Sequence, residues 1–273
     1  MSLRDLLVHL QLEPKKSLGQ NFMVEPAALD RIVTAAELMP HDAVLEIGAG
    51  LGALTDRLAE AARRVVAVEV DGRFVPHLQA RYRDQPQVEV VQADILQTDL
   101  LTLMGTDAAA YKVVANVPYY ITSAILRHLL ESPAPPQRIV MTMQREVAQR
   151  ITAAPGDLSL LAVSVQFYGV PRIVARIKAG SFYPRPEVES AVLRVDPHPA
   201  PPLPPEEIAG FFRVVRAGFS QPRKQVRNAL AAGLALSRED TEAWLARAGI
   251  APQRRAETLS IAEWIALLRA ELP

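Results

Sequence analysis

No cysteine occurs among the 273 residues, which excludes a disulfide framework and any metal held by thiolates, and no metal site of another kind is expected. No apolar run reaches the roughly 18 residues that a membrane-spanning helix needs. The opening stretch MSLRDLLVHLQLEPKK has an apolar part too short and too charged for a signal peptide, so a cytoplasmic protein is expected. Charge of one sign is also missing, because 30 basic residues balance 30 acidic ones. Bulk attraction to a polyanion is therefore excluded, and any nucleic-acid contact must rest on local charge. No internal repeat is visible. What remains is an ordinary globular composition, 49% hydrophobic and 22% charged, long enough for one large domain or one domain with a small satellite.

Short apolar runs alternate with amphipathic ones. AVLEI (43–47), RVVAVEV (64–70), VEVVQ (88–92), YKVVAN (111–116) and RIVMTM (138–143) are rich in Val and Ile and apolar on both faces, as buried parallel strands are. Helical patterns such as ALTDRLAEAA and ITSAILRHLLE separate them, which predicts an α/β fold with a doubly wound, Rossmann-like sheet. LSLLAVSVQFYG (158–169), PRIVARI and ESAVLRV then read as strands without intervening helices, so the sheet is expected to end in antiparallel pairing. DPHPAPPLPPEE (196–207) holds six prolines in twelve residues, which suits a stiff extended linker. Everything beyond it reads helical. The expected organisation is residues 1–196 as the α/β domain, 197–205 as linker and 206–273 as a small all-helical C-terminal domain.

LEIGAGLGALT (45–55) joins the first strand to the first helix, and Gly48, Gly50 and Gly52 allow a sharp turn and close approach of a ligand. The second strand ends near Glu69 and Asp71, where an acidic side chain typically meets ribose hydroxyls. Together they indicate an adenosine-containing cofactor. The spacing G-x-G-x-G departs from the dinucleotide fingerprint and favours S-adenosylmethionine, which has no pyrophosphate to cradle. Asp94, after the third strand, suits the adenine amino group of such a cofactor and equally suits a helix N-cap.

VVANVPYYITSAIL (113–126) breaks an apolar strand with Asn116, Pro118 and two tyrosines, on the sheet edge where open α/β folds bind ligands. The exocyclic amine of adenine is a poor nucleophile because its lone pair is delocalised into the ring. Two acceptors placed off the ring plane draw the nitrogen towards tetrahedral geometry and free that pair. The Asn116 side-chain oxygen and the Val117 carbonyl, stiffened by Pro118, are the two acceptors, and Tyr119 is a stacking platform. The bland alternative is that Asn116 caps a helix starting near Tyr120.

These motifs, in order, resemble those of the small-subunit ribosomal RNA adenine N6,N6-dimethyltransferases, the KsgA (RsmA) type. KKSLGQNFM (15–23), EIGAGLGALT, the Glu69 strand end, ADIL, NVPYYIT, MQREVAQRI (143–151), SFYPRPEVESAVLRV (181–195), FSQPRKQVRNAL (219–230) and RRAETLS (254–260) carry the resemblance over nearly the whole chain. It implies a class I S-adenosylmethionine-dependent methyltransferase that dimethylates N6 of two adjacent adenosines in the 3′-terminal hairpin of 16S rRNA in the small ribosomal subunit. It also implies that Asn21 and Met23 line the cofactor site with Gly48, Gly50, Glu69, Asp94 and Asn116. Phe182 would flank the target base opposite Tyr119, or buttress it. The 23S rRNA adenine methyltransferases of antibiotic resistance share the fold and are the alternative, together with a mainly non-catalytic ribosome assembly factor.

For the RNA, the densest basic cluster is Arg213, Arg216, Arg223, Lys224 and Arg227. Helical spacing predicts that Arg223 and Arg227 share a face. Lys15, Lys16, Arg145, Arg254 and Arg255 are expected to extend it, and nothing in the sequence demands more than a monomer.

Overall fold

The computed structural model describes residues 3–10, 12–14 and 19–270, so Lys15 and Lys16 lie outside the described residues. Its strands are β1 (Phe22–Met23), β2 (Ala43–Ile47), β3 (Arg64–Glu69), β4 (Val88–Gln92), β5 (Tyr111–Asn116), β6 (Arg138–Gln144), β7 (Gly169–Ile177), β8 (Phe182–Tyr183) and β9 (Ser190–Pro197). Its first helices are α1 (Leu3–His9), α2 (Pro26–Ala36), α3 (Ala53–Ala61), α4 (Val75–Arg81), α5 (Leu100–Met104), α6 (Thr122–Leu130) and α7 (Arg145–Ile151). The remainder are α8 (Leu160–Gln166), α9 (Pro205–Phe219), α10 (Val226–Leu234), α11 (Arg238–Arg247) and α12 (Ile261–Arg269).

The chain divides into two units, one of residues 1–148 and 170–197, the other of 149–169 and 198–273. In the first, the five apolar runs form β2 to β6 and pair in parallel, in the order β4-β3-β2-β5-β6. β2 and β5 are buried along most of their length because α2 and α3 and their partners cover the sheet. β9 then pairs antiparallel to β6, and β7 lies outside it as the edge, so the expected antiparallel ending is present. Four charges clamp that join: Arg138 reaches Glu37 and Asp196 at 2.7 and 2.8 Å, and Arg194 reaches the same two carboxylates at 2.5 and 2.9 Å. The order of strands reverses between β2 and β5, the switch point at whose carboxyl ends such sheets open a crevice. A separate two-stranded ribbon, Phe22 opposite Tyr183 and Met23 opposite Phe182, joins residues far apart in the chain.

The second unit differs from expectation at its first segment. Residues 160–166 form α8, not a strand. Ser159 accepts from the Ala162 amide at 3.1 Å as an N-cap, and Ser164 turns its hydroxyl back onto the Leu160 carbonyl at 2.8 Å. A short run that is apolar on all sides carries no period to separate strand from helix. Leu158, Ala162, Val163 and Phe167 join the core formed by Phe211, Phe212, Trp244, Leu245 and Trp264, with Phe167 stacked on Phe211 at 4.6 Å. The division of the chain therefore does not fall at the prolines alone, since residues 149–169 group with the helices. The proline stretch ends at α9, which takes Pro205 in its first turn, and Leu203 inside it is buried in the helical core.

Candidate active site

Gly48 follows β2 directly opposite Asn116 at the end of β5, because Ile47 pairs with Ala115. A Cβ on Gly48 would stand 2.9 Å from the Asn116 carbonyl oxygen, and φ is +82°, so both space and backbone demand glycine. Two residues on, the Gly50 amide donates to Glu69 Oε2 at 2.8 Å. The other carboxylate oxygen of Glu69 accepts from the Asp71 amide at 2.8 Å. Burial pushes the Glu69 carboxyl above the usual range, and those two N–H groups oppose the shift. Gly52 serves the helix instead: it is the N-cap of α3, and its carbonyl accepts from the Tyr82 hydroxyl at 2.8 Å.

Asp94 caps the short turn after β4, accepting from the Leu96 amide at 3.0 Å, and also lines the cavity; both alternatives held open for it are geometrically compatible. The cap alternative for Asn116 is not what the structure contains. Pro118 starts the 3-10 turn Tyr119–Ile121, no side chain caps it, and Asn116 Oδ1 instead accepts from Thr142 at 2.7 Å. Tyr119 is half-buried and its hydroxyl lies 2.6 Å from the Ser190 hydroxyl, which fixes the ring. Tyr120 is 66% exposed at the mouth of the cavity, beside Gly19.

The ribbon closes one wall. Met23 and Phe182 are a buried cross-strand pair, and Phe182 lines the cavity. Asn21 donates to the Gly19 carbonyl at 3.0 Å, and Gln20 donates to Asp71 Oδ2 at 3.0 Å. Arg73 holds the same Asp71, and its guanidinium keeps that carboxyl well below the usual range.

One cavity thus receives Asn21, Met23, Gly48, Gly50, Glu69, Asp94, Asn116, Val117, Pro118, Tyr119 and Phe182. Among the described residues its lining has two carboxylates and no lysine, arginine or histidine. Such a lining offers acceptors to ribose hydroxyls and an adenine amine and tolerates a positive charge, while a pyrophosphate would meet no cationic side chain. The chain resembles known proteins in the same sense. It matches the family described as ribosomal RNA adenine dimethylase over residues 11–270. The chain belongs to that family.

Among relatives of this dimethylase, a Dehalococcoides mccartyi protein named ribosomal RNA small subunit methyltransferase A is 44% identical over 261 residues, covering 96% of this chain and 89% of that one. A Geobacillus kaustophilus protein of the same name is 38% identical over 278 residues, covering 99% and 95%. Among solved structures, the 23S rRNA methyltransferase ErmE superposes with a TM-score of 0.73 at 29% identity, covering 91% of this chain and 98% of that one. A dimethyladenosine transferase from Plasmodium falciparum gives the same TM-score at 24% identity, covering 90% and 95%, and shares the fold.

The basic cluster of the second unit is less uniform than its spacing suggested. Arg223 does not share a helix face with Arg227: it lies in the turn before α10, and Gln225 is extended at the N-cap, so the helix begins only at Val226. Arg213, Arg216, Arg223 and Lys224 are exposed. Arg227 is half-buried and bonded to Glu242 at 2.7 Å, Arg254 is bonded to Glu263, and in the first unit Arg145 pairs with Glu189 at 2.5 Å. Thr142 and Ser190 were missed as site residues. Thr142 offered a faint signal, a hydroxyl inside an otherwise apolar strand. Ser190 closes the P-x-P-x-V-x-S element, but neither partner is near in sequence.

Proposed function

We propose that this dimethylase transfers methyl groups from S-adenosylmethionine to N6 of two adjacent adenosines in the 3′-terminal hairpin of 16S rRNA within the small ribosomal subunit. The observation that carries the reading is the convergence of the glycine turn, Glu69, Asp94 and the Asn116–Tyr119 segment on one cavity at the strand-order switch. The names of relatives at 38 to 44% identity support the small-subunit substrate. When bound, the cofactor supplies a methyl group on a positively charged sulfur.

The protein's own residues do the rest by placement. Glu69 holds the ribose hydroxyls with the lone pairs that Gly50 and Asp71 leave free. Asp94 accepts from the cofactor's adenine amine. Asn116 Oδ1 and the Val117 carbonyl take the hydrogens of the target amine, and Pro118 restricts Val117. Tyr119, held by Ser190, carries the flipped base on its ring, and Phe182 backs the wall. Adenines in a hairpin loop cost least to unstack, and Arg223 and Lys224 are offered to the phosphate backbone.

Incubation with tritiated S-adenosylmethionine and unmethylated small subunits should place label in that hairpin, two methyl groups per adenosine. No label there with the cofactor bound would sink the reading. Label in 23S rRNA instead would establish the second reading, which the likeness to ErmE favours. Asn116→Ala should abolish transfer and leave particle binding within about twofold.

A further inference from the structure

Thr142 stands in β6 between Met141 and Met143 and is fully buried. Valine has the same shape, so packing alone gives no reason for a hydroxyl there. The hydroxyl has two neighbours: Asn116 Oδ1 at 2.7 Å and the Ala115 carbonyl oxygen at 3.1 Å. The parallel register sets this, since Asn116 lies opposite Thr142. Both neighbours are acceptors, and a threonine hydroxyl carries one proton. As arranged, one of the two oxygen pairs has no hydrogen between them. Meanwhile Asn116 Nδ2 makes no hydrogen bond to any other described residue, and the residue lines the cavity.

A half-turn of the amide about Cβ–Cγ exchanges Oδ1 and Nδ2 at nearly the same positions. Nδ2 then donates to Thr142 Oγ1, Thr142 donates to the Ala115 carbonyl, and Oδ1 is left on the side that faced no partner among the described residues. Every member of the buried chain is satisfied, and the acceptor that an incoming amine needs is free. In the opposite orientation the oxygen is spent on Thr142, and an N–H group confronts an N–H group. We propose that Thr142 is a positioning residue that fixes the Asn116 amide with its oxygen presented to the target amine. The proposal rests on the reading of Asn116 as the amine acceptor.

Three variants and one spectrum test it. Thr142→Val should lower kcat for methyl transfer to unmethylated small subunits by about 10- to 100-fold, with the KM for S-adenosylmethionine within about twofold. Thr142→Ser, which keeps the hydroxyl, should recover most of that loss. A merely structural threonine would lower Tm and cofactor affinity together and would not be rescued in kcat alone. In the unaltered protein one Asn116 Nδ2 proton should exchange slowly with solvent. If both exchange freely, the proposal is overturned whether or not Thr142→Val folds. If Thr142→Val turns over like the parent while Asn116→Ala is inactive, Thr142 has no positioning role and the reading of Asn116 stands. If Asn116→Ala retains full turnover, that reading itself fails, and the proposal with it.

Discussion

Glu46 and Glu69 are two buried carboxylates with different company. Glu69 has a backbone N–H on each oxygen, whereas Glu46 accepts from Thr55 at 2.6 Å on one oxygen and, among the described residues, has no partner on the other. Burial therefore dominates at Glu46 and pushes its carboxyl up to about 8. The folded chain holds a proton there that the unfolded chain has released above about pH 4.5. The stability tied to that proton is fully present below the unfolded value and is lost as pH rises towards 8, at about 1.4 kcal/mol per pH unit. Glu46→Gln cannot ionise, so it should flatten the fall. Thermal melts at pH 5 and pH 8 should show the variant gaining on the parent by a few kcal/mol at the higher pH. Equal slopes for the two proteins would mean that Glu46 is ionised in the fold. Residues of this kind explain where sequence reading reaches its limit. Asn116 was legible because its odd neighbours, Pro118 and Tyr119, stand beside it. Thr142 and Ser190 act through partners 26 and 71 positions away, which no local pattern displays.

At the scale of elements, the parallel strands were legible because each is a short, doubly buried apolar run bounded by helical patterns, and the glycine turn followed from the first of them. α8 was not legible: seven residues, LLAVSVQ, give too little length for a helical period, and their β-branched content points the wrong way. The start of α10 was misplaced for a related reason, since Gln225 is extended and the Val226 amide is taken by the distant Arg254 carbonyl, which no local pattern displays. Helix contacts in the second unit have their own consequence. Gly218, inside α9, lies so close to the Trp264 ring that an added Cβ would fall well inside van der Waals contact. Propensity alone predicts that Gly218→Ala stabilises α9 by about 1 kcal/mol. The overlap predicts the reverse, a net loss of about 1–2 kcal/mol and a drop of several degrees in Tm. A rise in Tm would show that Trp264 moves aside without cost.

Across the whole molecule the charges cancel, so attraction to RNA must come from local groups of exposed cations rather than from net charge. Arg223 and Arg227 are four residues apart and differ in this respect. Arg223→Ala should weaken particle binding and reduce the slope of log K against log salt by about 1. Arg227→Ala should leave the slope nearly unchanged and lower Tm, because it strips Glu242 of one of its two arginine partners. Filter binding across a salt series separates the two outcomes.

The sheet order places β9 between β6 and β7, although β9 is the last of its strands to be made. During synthesis β7 must therefore wait beside an empty lane until residues 190–197 arrive. The wait is longer for Phe167, whose core partner Trp264 lies 97 positions later (264 minus 167), roughly 5–20 s at ordinary elongation rates. Neither unit is continuous in the chain: the first is completely made at residue 197, whereas residues 149–169 of the second must wait for residues 198–273. Half-made chains carry uncovered apolar surface through that interval, which exposes them to aggregation however stable the finished fold is.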